Sequence, residues 1–342
     1  MSTSRKSRGL GLAAAAVASA LIITACGGDD DSGGGGDESV TLSFANSYPD
    51  QHPHNVCGTK VVSDTLADGD SGIEIEVFSN SQLGPDADRF ASVASGDIDI
   101  DIQGSSAISA SFPEIGALDA AYAFDGPDAL FEFVDSEEFD GLADRLLEET
   151  GVRVLDVWYF GMRHFTANKP IRSSSDFDGQ RMRFPDSPQY LMNAKALGAK
   201  ATPVAFEEVY LALQQGTIDG QENPIPTIQD LNLPEVQSHV SLTGHQVGSV
   251  LAIVSEDTWQ SLSEDQQKAL QESISGARDG DRTCVEDAEK TIVDEWKSGD
   301  DVTVVEDVDV DAFAQQAEDF FMENYEGDQL ELYTSIRDMA SK

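Results

Sequence analysis

Residues 181–224 read RMRFPDSPQYLMNAKALGAKATPVAFEEVYLALQQGTIDGQENP, and this stretch decides the fold. It predicts a short strand and then a helix over about 188–198, bounded by proline and glycine. A second strand over 201–204 and a second helix over about 206–215 follow. Residues 217–224 predict a third strand that leads into a polar turn. Two adjacent strand–helix units of this kind predict an α/β fold.

Side chains suited to binding an anion fall where these strands end. In an open α/β sheet, ligands bind beyond the carboxyl ends of the strands, and Arg183, Phe206 and Asn223 all lie near such ends. Arg183 offers a planar fork of donors that suits a carboxylate, Phe206 an apolar wall, and Asn223 both a donor and an acceptor. The stretch therefore predicts a carboxylate-binding cleft. The alternative for Arg183 is an internal ion pair with Glu207 or Glu208.

Four segments of the stretch follow one another in the order and at the spacing of a known signature. They are Arg183-Phe184-Pro185, Leu197-Gly198-Ala199, Glu208-Val209-Tyr210 with Ala212-Leu213-Gln214, and Asp219 to Pro224. The chain here resembles the solute-binding proteins of tripartite ATP-independent periplasmic (TRAP) transporters, of the type that binds dicarboxylates and sugar acids. Ser81-Gln82-Leu83-Gly84 is a further feature that resembles this family. The resemblance covers roughly residues 40–335.

The resemblance implies the two-lobed periplasmic binding fold, with crossovers and long helices that bridge the lobes. We expect lobe I to comprise residues 39–160 and 249–288, and lobe II to comprise residues 161–248 and 289–342. Such a protein, expected to be a monomer, captures an organic acid between its lobes by hinge closure. It then delivers the acid to the membrane permease subunits of the transporter. The resemblance implies no cofactor, no metal and no catalysis.

The resemblance and the strand ends point to further ligand-binding residues. In the family an arginine of the strand that starts near residue 152 also contacts the ligand carboxylate, which implies Arg163 here; the alternative is a surface ion pair. Asn46 at the end of the first strand and Ser105 after the third are additional candidates. Side chains around these two, His54 and Arg89 are expected to set specificity.

The first 25 residues predict a lipoprotein signal peptide. A basic start and the apolar run over 10–23 lead into a lipobox that ends at Cys26. The alternatives are a plain signal peptide or a membrane anchor, although the run is shorter than the roughly 20 residues that a span requires. A lipid on Cys26, followed by a Gly- and Asp-rich linker over 26–38, would tether the protein to the extracytoplasmic face of the bacterial membrane.

The chain is strongly acidic, with a formal net charge of −42. A nucleic-acid partner needs a basic surface, so this class is excluded. Salt screens surface charge beyond about 8 Å, so a few local arginines can still bind an anion.

Besides Cys26, the chain contains two cysteines, Cys57 and Cys284. Outside the cytoplasm, a pair of thiols is usually bridged, and the family's chain path would place both in the same lobe. We therefore expect a disulfide, with two buried free thiols as the alternative. No CxxC or Cys/His zinc pattern is present.

A hydrolase and a ligand-binding sensor are the two other function classes to consider for this sequence. A hydrolase would need a nucleophile with its base, or metal ligands, and the sequence contains neither GxSxG nor HExxH. A ligand-binding sensor that signals to a membrane receptor would use the same cleft and stays open as the alternative. The identity of the acid also stays open among C4-dicarboxylates, uronates and other sugar acids, sialic acids and keto acids.

Overall fold

A single mixed sheet organises the fold. The computed structural model describes residues 39–340; the predicted signal segment, Cys26 and the linker lie outside these residues. The strands of the described part are β1 (Val40–Ala45), β2 (Ile73–Phe78), β3 (Ile100–Gly104), β4 (Val152–Ala167), β5 (Met182–Phe184), β6 (Ala201–Pro203), β7 (Gly220–Pro224), β8 (His239–Ser255) and β9 (Thr303–Val305). Their order is β2-β1-β3-β8-β4-β7-β5-β6, with β9 beside β8.

Helices lie between most of these strands and dominate the last quarter of the chain. They are α1 (Lys60–Asp68), α2 (Asp86–Ala94), α3 (Ser105–Ile108), α4 (Pro127–Val134), α5 (Glu137–Thr150), α6 (Pro188–Ala196), α7 (Val209–Gln214), α8 (Ile225–Asp230), α9 (Glu256–Ser261), α10 (Glu264–Ser298), α11 (Val310–Asn324) and α12 (Gly327–Ala340). None of the helices within residues 39–340 combines enough length with enough apolar character to cross a bilayer.

Two long antiparallel strands, β4 and β8, connect the two lobes. β1, β2 and β3 lie on one side of this pair, within the predicted lobe I, and β5, β6 and β7 lie on the other side, within the predicted lobe II. β4 and β8 are 16 and 17 residues long. Both strands run this far because polar residues inside them have partners other than water. Arg163 donates to Glu222 of β7, and Gln246 accepts from Asn193 of α6.

The midpoint of this strand pair is built on two glycines. Gly161 pairs with Gly248 beside a register shift, and its φ of +120° is one that side-chain-bearing residues rarely adopt. A Cβ on Gly161 would come within 2.8 Å of both Glu289 Oε1 and Pro224 Cβ. A larger residue could therefore not occupy this crossing without displacing its neighbours.

Helix α10 bridges both lobes, as the resemblance implied. Its residues Leu270, Ile274 and Ala277 pack into the core beside β1, β2 and β3. Further along the helix, Trp296 packs into the core that contains α7 and α8. A rise of about 1.5 Å per residue lets a helix of 35 residues span roughly 50 Å, enough to reach both cores.

The chain enters α1 through a π-helical turn, His54–Thr59. The structure joins Cys57 in this turn to Cys284 in α10 by a disulfide, with Cα atoms 6.4 Å apart. The next residue, Gly58, lets this turn pack closely against Trp158, because a Cβ at position 58 would lie 2.5 Å from the Trp158 ring.

The residue limits of the lobes stay a prediction. Residues 39–340 form one compact unit. Within it, α12 packs against the 3₁₀ segment Pro113–Asp119 and against α4.

Candidate functional site

A cavity of about 250 Å³ lies where the carboxyl ends of strands from both lobes meet. Ser47 and Tyr48 follow β1, and Gly104 and Ser106 lie at the end of β3. From the other side, the wall is formed by residues of β5, of β7 and of the segment after β6, namely Arg183, Asn223, Val204, Ala205, Phe206 and Glu207. The parallel strands β1 and β3, and β5 and β7, direct these carboxyl ends toward the same space.

Arg183 is the buried cation of this wall. Only 2% of its surface is exposed, and its Nε donates to the carbonyl of Val204 at 2.9 Å. Its Nη1 is buried without any hydrogen-bond partner among the described residues. Burial lowers the pKa of Arg183 to about 10, against an opposing effect of Glu222. The group therefore stays charged at neutral pH, and an anion could satisfy it.

Arg163 also lines the cavity, but its charge already has a partner. Its Nε and Nη2 reach the two carboxylate oxygens of Glu222 at 2.5 and 2.8 Å. Burial alone would lower the pKa of Arg163, but Glu222 outweighs burial and raises that pKa above its usual value. The guanidinium carbon lies 4.9 Å from the centre of the Tyr190 ring. Instead of the surface ion pair considered above, the structure shows a fully buried one.

Glu222 is the residue that sequence reasoning missed. It is fully buried and, besides Arg163, lies 3.3 Å from Nε2 of His245. Burial raises the pKa of Glu222, but Arg163 and His245 outweigh burial and hold that pKa below its usual value. The signal was an acidic residue directly before Asn223 in a segment expected to be a polar turn. That segment is the buried strand β7, followed by α8.

Asn223 and Phe206 both lie on the cavity wall. Asn223 Oδ1 accepts from Arg163 Nη2 at 3.2 Å, and its Nδ2 donates to Gln221 Oε1 at 2.6 Å. These bonds fix the amide orientation beside the cavity. Phe206 begins a 3₁₀ turn that precedes α7, so the helix predicted over 206–215 is divided in two.

Asn46 and Ser105 are buried and do not line the cavity, whereas their chain neighbours do. The Asn46 amide binds Asn55 at 2.8 Å and accepts from the Tyr48 N–H at 2.9 Å. Its place on the wall is taken by Ser47 and Tyr48. The cavity is lined instead by Ser106, the residue after Ser105, which donates to the carboxylate of Asp119.

His54 and Arg89 are also turned away from the cavity. His54 Nδ1 lies 3.0 Å from the carboxylate of Asp281 in α10. Arg89 is fully buried and pairs with Asp101 at 2.9 Å and with Asp86 at 2.8 Å. Both side chains thus pair with carboxylates of the protein itself.

The cavity wall has an uneven charge distribution. Arg163 and Arg183 are its basic residues, and Asp86, Asp186 and Glu207 are its acidic ones. Because Glu222 neutralises Arg163, the unpaired positive charge is that of Arg183. Within residues 39–340, no group of three or more His, Cys, Asp or Glu side chains could hold a metal ion.

Comparisons with known proteins agree with this geometry. The model of the DctP family, bacterial extracellular solute-binding proteins of family 7, matches residues 59–328. The chain is 35% identical over 240 residues to the sialic acid-binding periplasmic protein SiaP of Vibrio cholerae, covering 70% of this chain and 75% of that protein. It is 29% identical over 294 residues to the 2,3-diketo-L-gulonate-binding periplasmic protein YiaO of Escherichia coli, covering 84% and 88%.

The fold is shared with solved structures as well. One is a TRAP periplasmic solute-binding protein from Roseobacter denitrificans with bound L-galactonate. It superposes with a TM-score of 0.81 at 30% identity, covering 87% of this chain and 99% of that one. The resemblance seen in the sequence is thereby confirmed. The chain belongs to family 7 of the bacterial extracellular solute-binding proteins, and with it to the TRAP periplasmic solute-binding proteins.

Proposed function

We propose that this protein captures a sugar acid through its single carboxylate and holds it in the cavity for a TRAP transporter. The observation that carries the proposal is Arg183, a buried cation with an unpaired guanidinium nitrogen on the cavity wall. A buried charge without a partner is costly, and a ligand carboxylate would remove that cost through charge-assisted hydrogen bonds. Relatives named for sialic acid and 2,3-diketo-L-gulonate, and a neighbour with bound L-galactonate, support this ligand class.

Charge on the cavity wall favours one carboxylate over two. A C4-dicarboxylate would bring a second negative charge, while the second arginine of the wall is already neutralised by Glu222. Asp86 is likewise paired, with Arg89. The remaining charged lining residues, Asp186 and Glu207, are acidic and would repel that second charge. Carboxylates accept hydrogen bonds from hydroxyl groups. A polyhydroxylated monoacid therefore fits better than a diacid.

The binding step that follows from this geometry involves no bond chemistry. Arg183 would hold the carboxylate, and Asn223, fixed by Arg163 and Gln221, would present its amide beside it. Phe206 would cover the apolar face of the ligand. Closure of the lobes would expel water and strengthen the charged hydrogen bonds.

A thermal-shift panel tests the proposal. L-galactonate, sialic acid, succinate and neutral D-galactose would be compared, galactose being the uncharged counterpart of galactonate. A ligand at 100 times its Kd adds about 2.7 kcal/mol to the free energy of unfolding. We expect stabilisation by a sugar acid and none by galactose or succinate. Equal shifts with galactose would refute the carboxylate requirement, and a larger shift with succinate would refute the single-carboxylate assignment.

We further propose that the protein is a monomer tethered to the outer face of the cell membrane through a lipid on Cys26. The lipobox and the Gly- and Asp-rich linker over 26–38 support this, because such a linker gives a tethered binding protein reach. Cys26→Ser should release the protein from the membrane fraction without changing its ligand affinity. Retention of the variant in that fraction would contradict the tether.

A further inference from the structure

A hydrogen bond joins the two ends of the sheet. β2 and β6 are the outermost strands of the sheet order, yet Ser81, just after β2, donates its Oγ proton to Glu207 Oε1, just after β6, at 2.7 Å. The two residues are 126 positions apart in the chain. Glu207 lines the cavity and is exposed, whereas Ser81 does not line it. The bond therefore crosses the solvent-facing rim of the cavity, from one lobe to the other.

The loop that carries Ser81 is held in a fixed, uncommon conformation. Asn80 and Ser81 have φ angles of 54° and 53°, values that few residues other than glycine adopt. The N–H of Asn80 donates to the Tyr48 carbonyl at 2.9 Å and that of Ser81 to the Asn46 carbonyl at 3.0 Å. Such conformations persist where the surroundings impose them. The backbone carbonyl of Asn46 thus anchors this loop. The side chain of Asn46 is itself held by Asn55.

On the opposite side, Glu207 is coupled to the carboxylate-binding arginine. The carbonyl of Val204, three residues before Glu207, accepts the hydrogen bond from Arg183 Nε at 2.9 Å. Val204, Phe206 and Glu207 all line the cavity. A ligand that fixes Arg183 therefore also fixes the segment that presents Glu207 to Ser81.

We propose that Ser81 and Glu207 form a latch across the cleft, which holds the lobes together and slows the departure of the ligand. The proposal concerns lobe closure itself, and its effect on ligand release rests on the function proposed above. Because Ser81 lies outside the cavity wall, the latch can be removed there without touching the ligand. Glu208, the next carboxylate along the chain and also exposed, offers a matched control.

The latch is tested first without ligand, by hydrogen exchange of the full-length protein. Ser81→Ala and Glu207→Ala should each accelerate amide exchange about 2- to 12-fold in residues 79–84 and also in residues 204–209. Glu208→Ala should leave both segments unchanged. Because the hydroxyl and carboxylate act only through each other, the double variant should exchange no faster than either single variant. Acceleration confined to the mutated side, or fully additive effects, would overturn the latch.

The second measurement is the dissociation rate of L-galactonate by stopped-flow. Ser81→Ala should release it about 2- to 12-fold faster than wild type, while its association rate stays within about twofold. An unchanged dissociation rate would refute the effect on ligand release. If wild type fails to bind L-galactonate and sialic acid, the proposed function fails instead, and hydrogen exchange still decides whether the latch exists.

Discussion

Replacing Arg183 by alanine should abolish most ligand affinity without unfolding the protein. The side chain is 2% exposed and has an unpaired nitrogen on the cavity wall. Truncating one partner of a buried charged pair costs about 2–5 kcal/mol, which corresponds to roughly 30- to 5,000-fold in Kd. Arg163 cannot compensate for the lost charge, because Glu222 already neutralises it. We therefore expect a Kd increase of at least about 30-fold.

The stability of the ligand-free protein should change little in the same variant. Arg183→Ala removes one hydrogen bond to Val204, worth about 0.5–1.5 kcal/mol. It also removes a buried cation that lies in no ion pair among the described residues, and this gain offsets the loss. The melting temperature should thus shift by no more than about 4 °C.

Calorimetric titration with the acid selected by the thermal-shift panel measures the first effect, and thermal unfolding measures the second. Arg181→Ala provides the control, because it removes the same charge two residues earlier from an exposed pair with Asp219. A Kd within threefold of wild type would remove Arg183 from the site. A fall of more than about 10 °C with unchanged affinity would show that Arg183 serves the fold and not the ligand.

Three further perturbations test the supporting structure. Glu222→Gln leaves the buried Arg163 without a counter-ion and should lower the free energy of unfolding, measured by urea denaturation, by about 3–5 kcal/mol. A loss of stability as small as that of Asp64→Asn, which breaks an exposed ion pair, would contradict this prediction. Burial raises the pKa of Glu289 to about 7, so its contribution to stability is present at low pH and lost as pH rises through 7. As the pH rises from 5 to 8, the free energy of unfolding of Glu289→Gln should therefore increase by about 1–2 kcal/mol relative to that of wild type. An increase no larger than that of Asp287→Asn, at an exposed carboxylate, would contradict the raised pKa of Glu289. Replacing both disulfide cysteines by serine opens a loop of 227 residues and should lower the free energy of unfolding by up to about 5 kcal/mol. Ligand affinity should stay within threefold of wild type. Lost affinity at unchanged stability would refute a purely structural role of the disulfide.

The sequence predicted the fold class and much of the cavity wall, because both depend on local signals. Arg183, Phe206 and Asn223 follow strand ends that proline and glycine mark, and the structure places them on the wall. Their contact with a ligand stays a prediction. Asn46 and Ser105 fall one residue short of the wall, because the direction of a side chain at a strand end depends on a register that one sequence does not reveal.

Glu222 could not be found for a related reason. Its pairing with Arg163 depends on the antiparallel register of β4 and β7, in which Phe165 lies opposite Glu222. The lengths of β4 and β8 depend on the same information. Polar residues inside these strands resemble loop residues until their partners across the sheet are known.

The shared strand pair has a consequence for how the protein folds. β4 and β8 are partners over most of their length although the segment between them contains β5, β6 and β7, so the two strands of this pair are far apart in the chain. The pair cannot be completed during synthesis until residue 255 has been added, and α10 must follow before both cores are covered. Pairings this distant make folding slow, and fragments cut between β4 and β8 should remain unstructured until they are mixed.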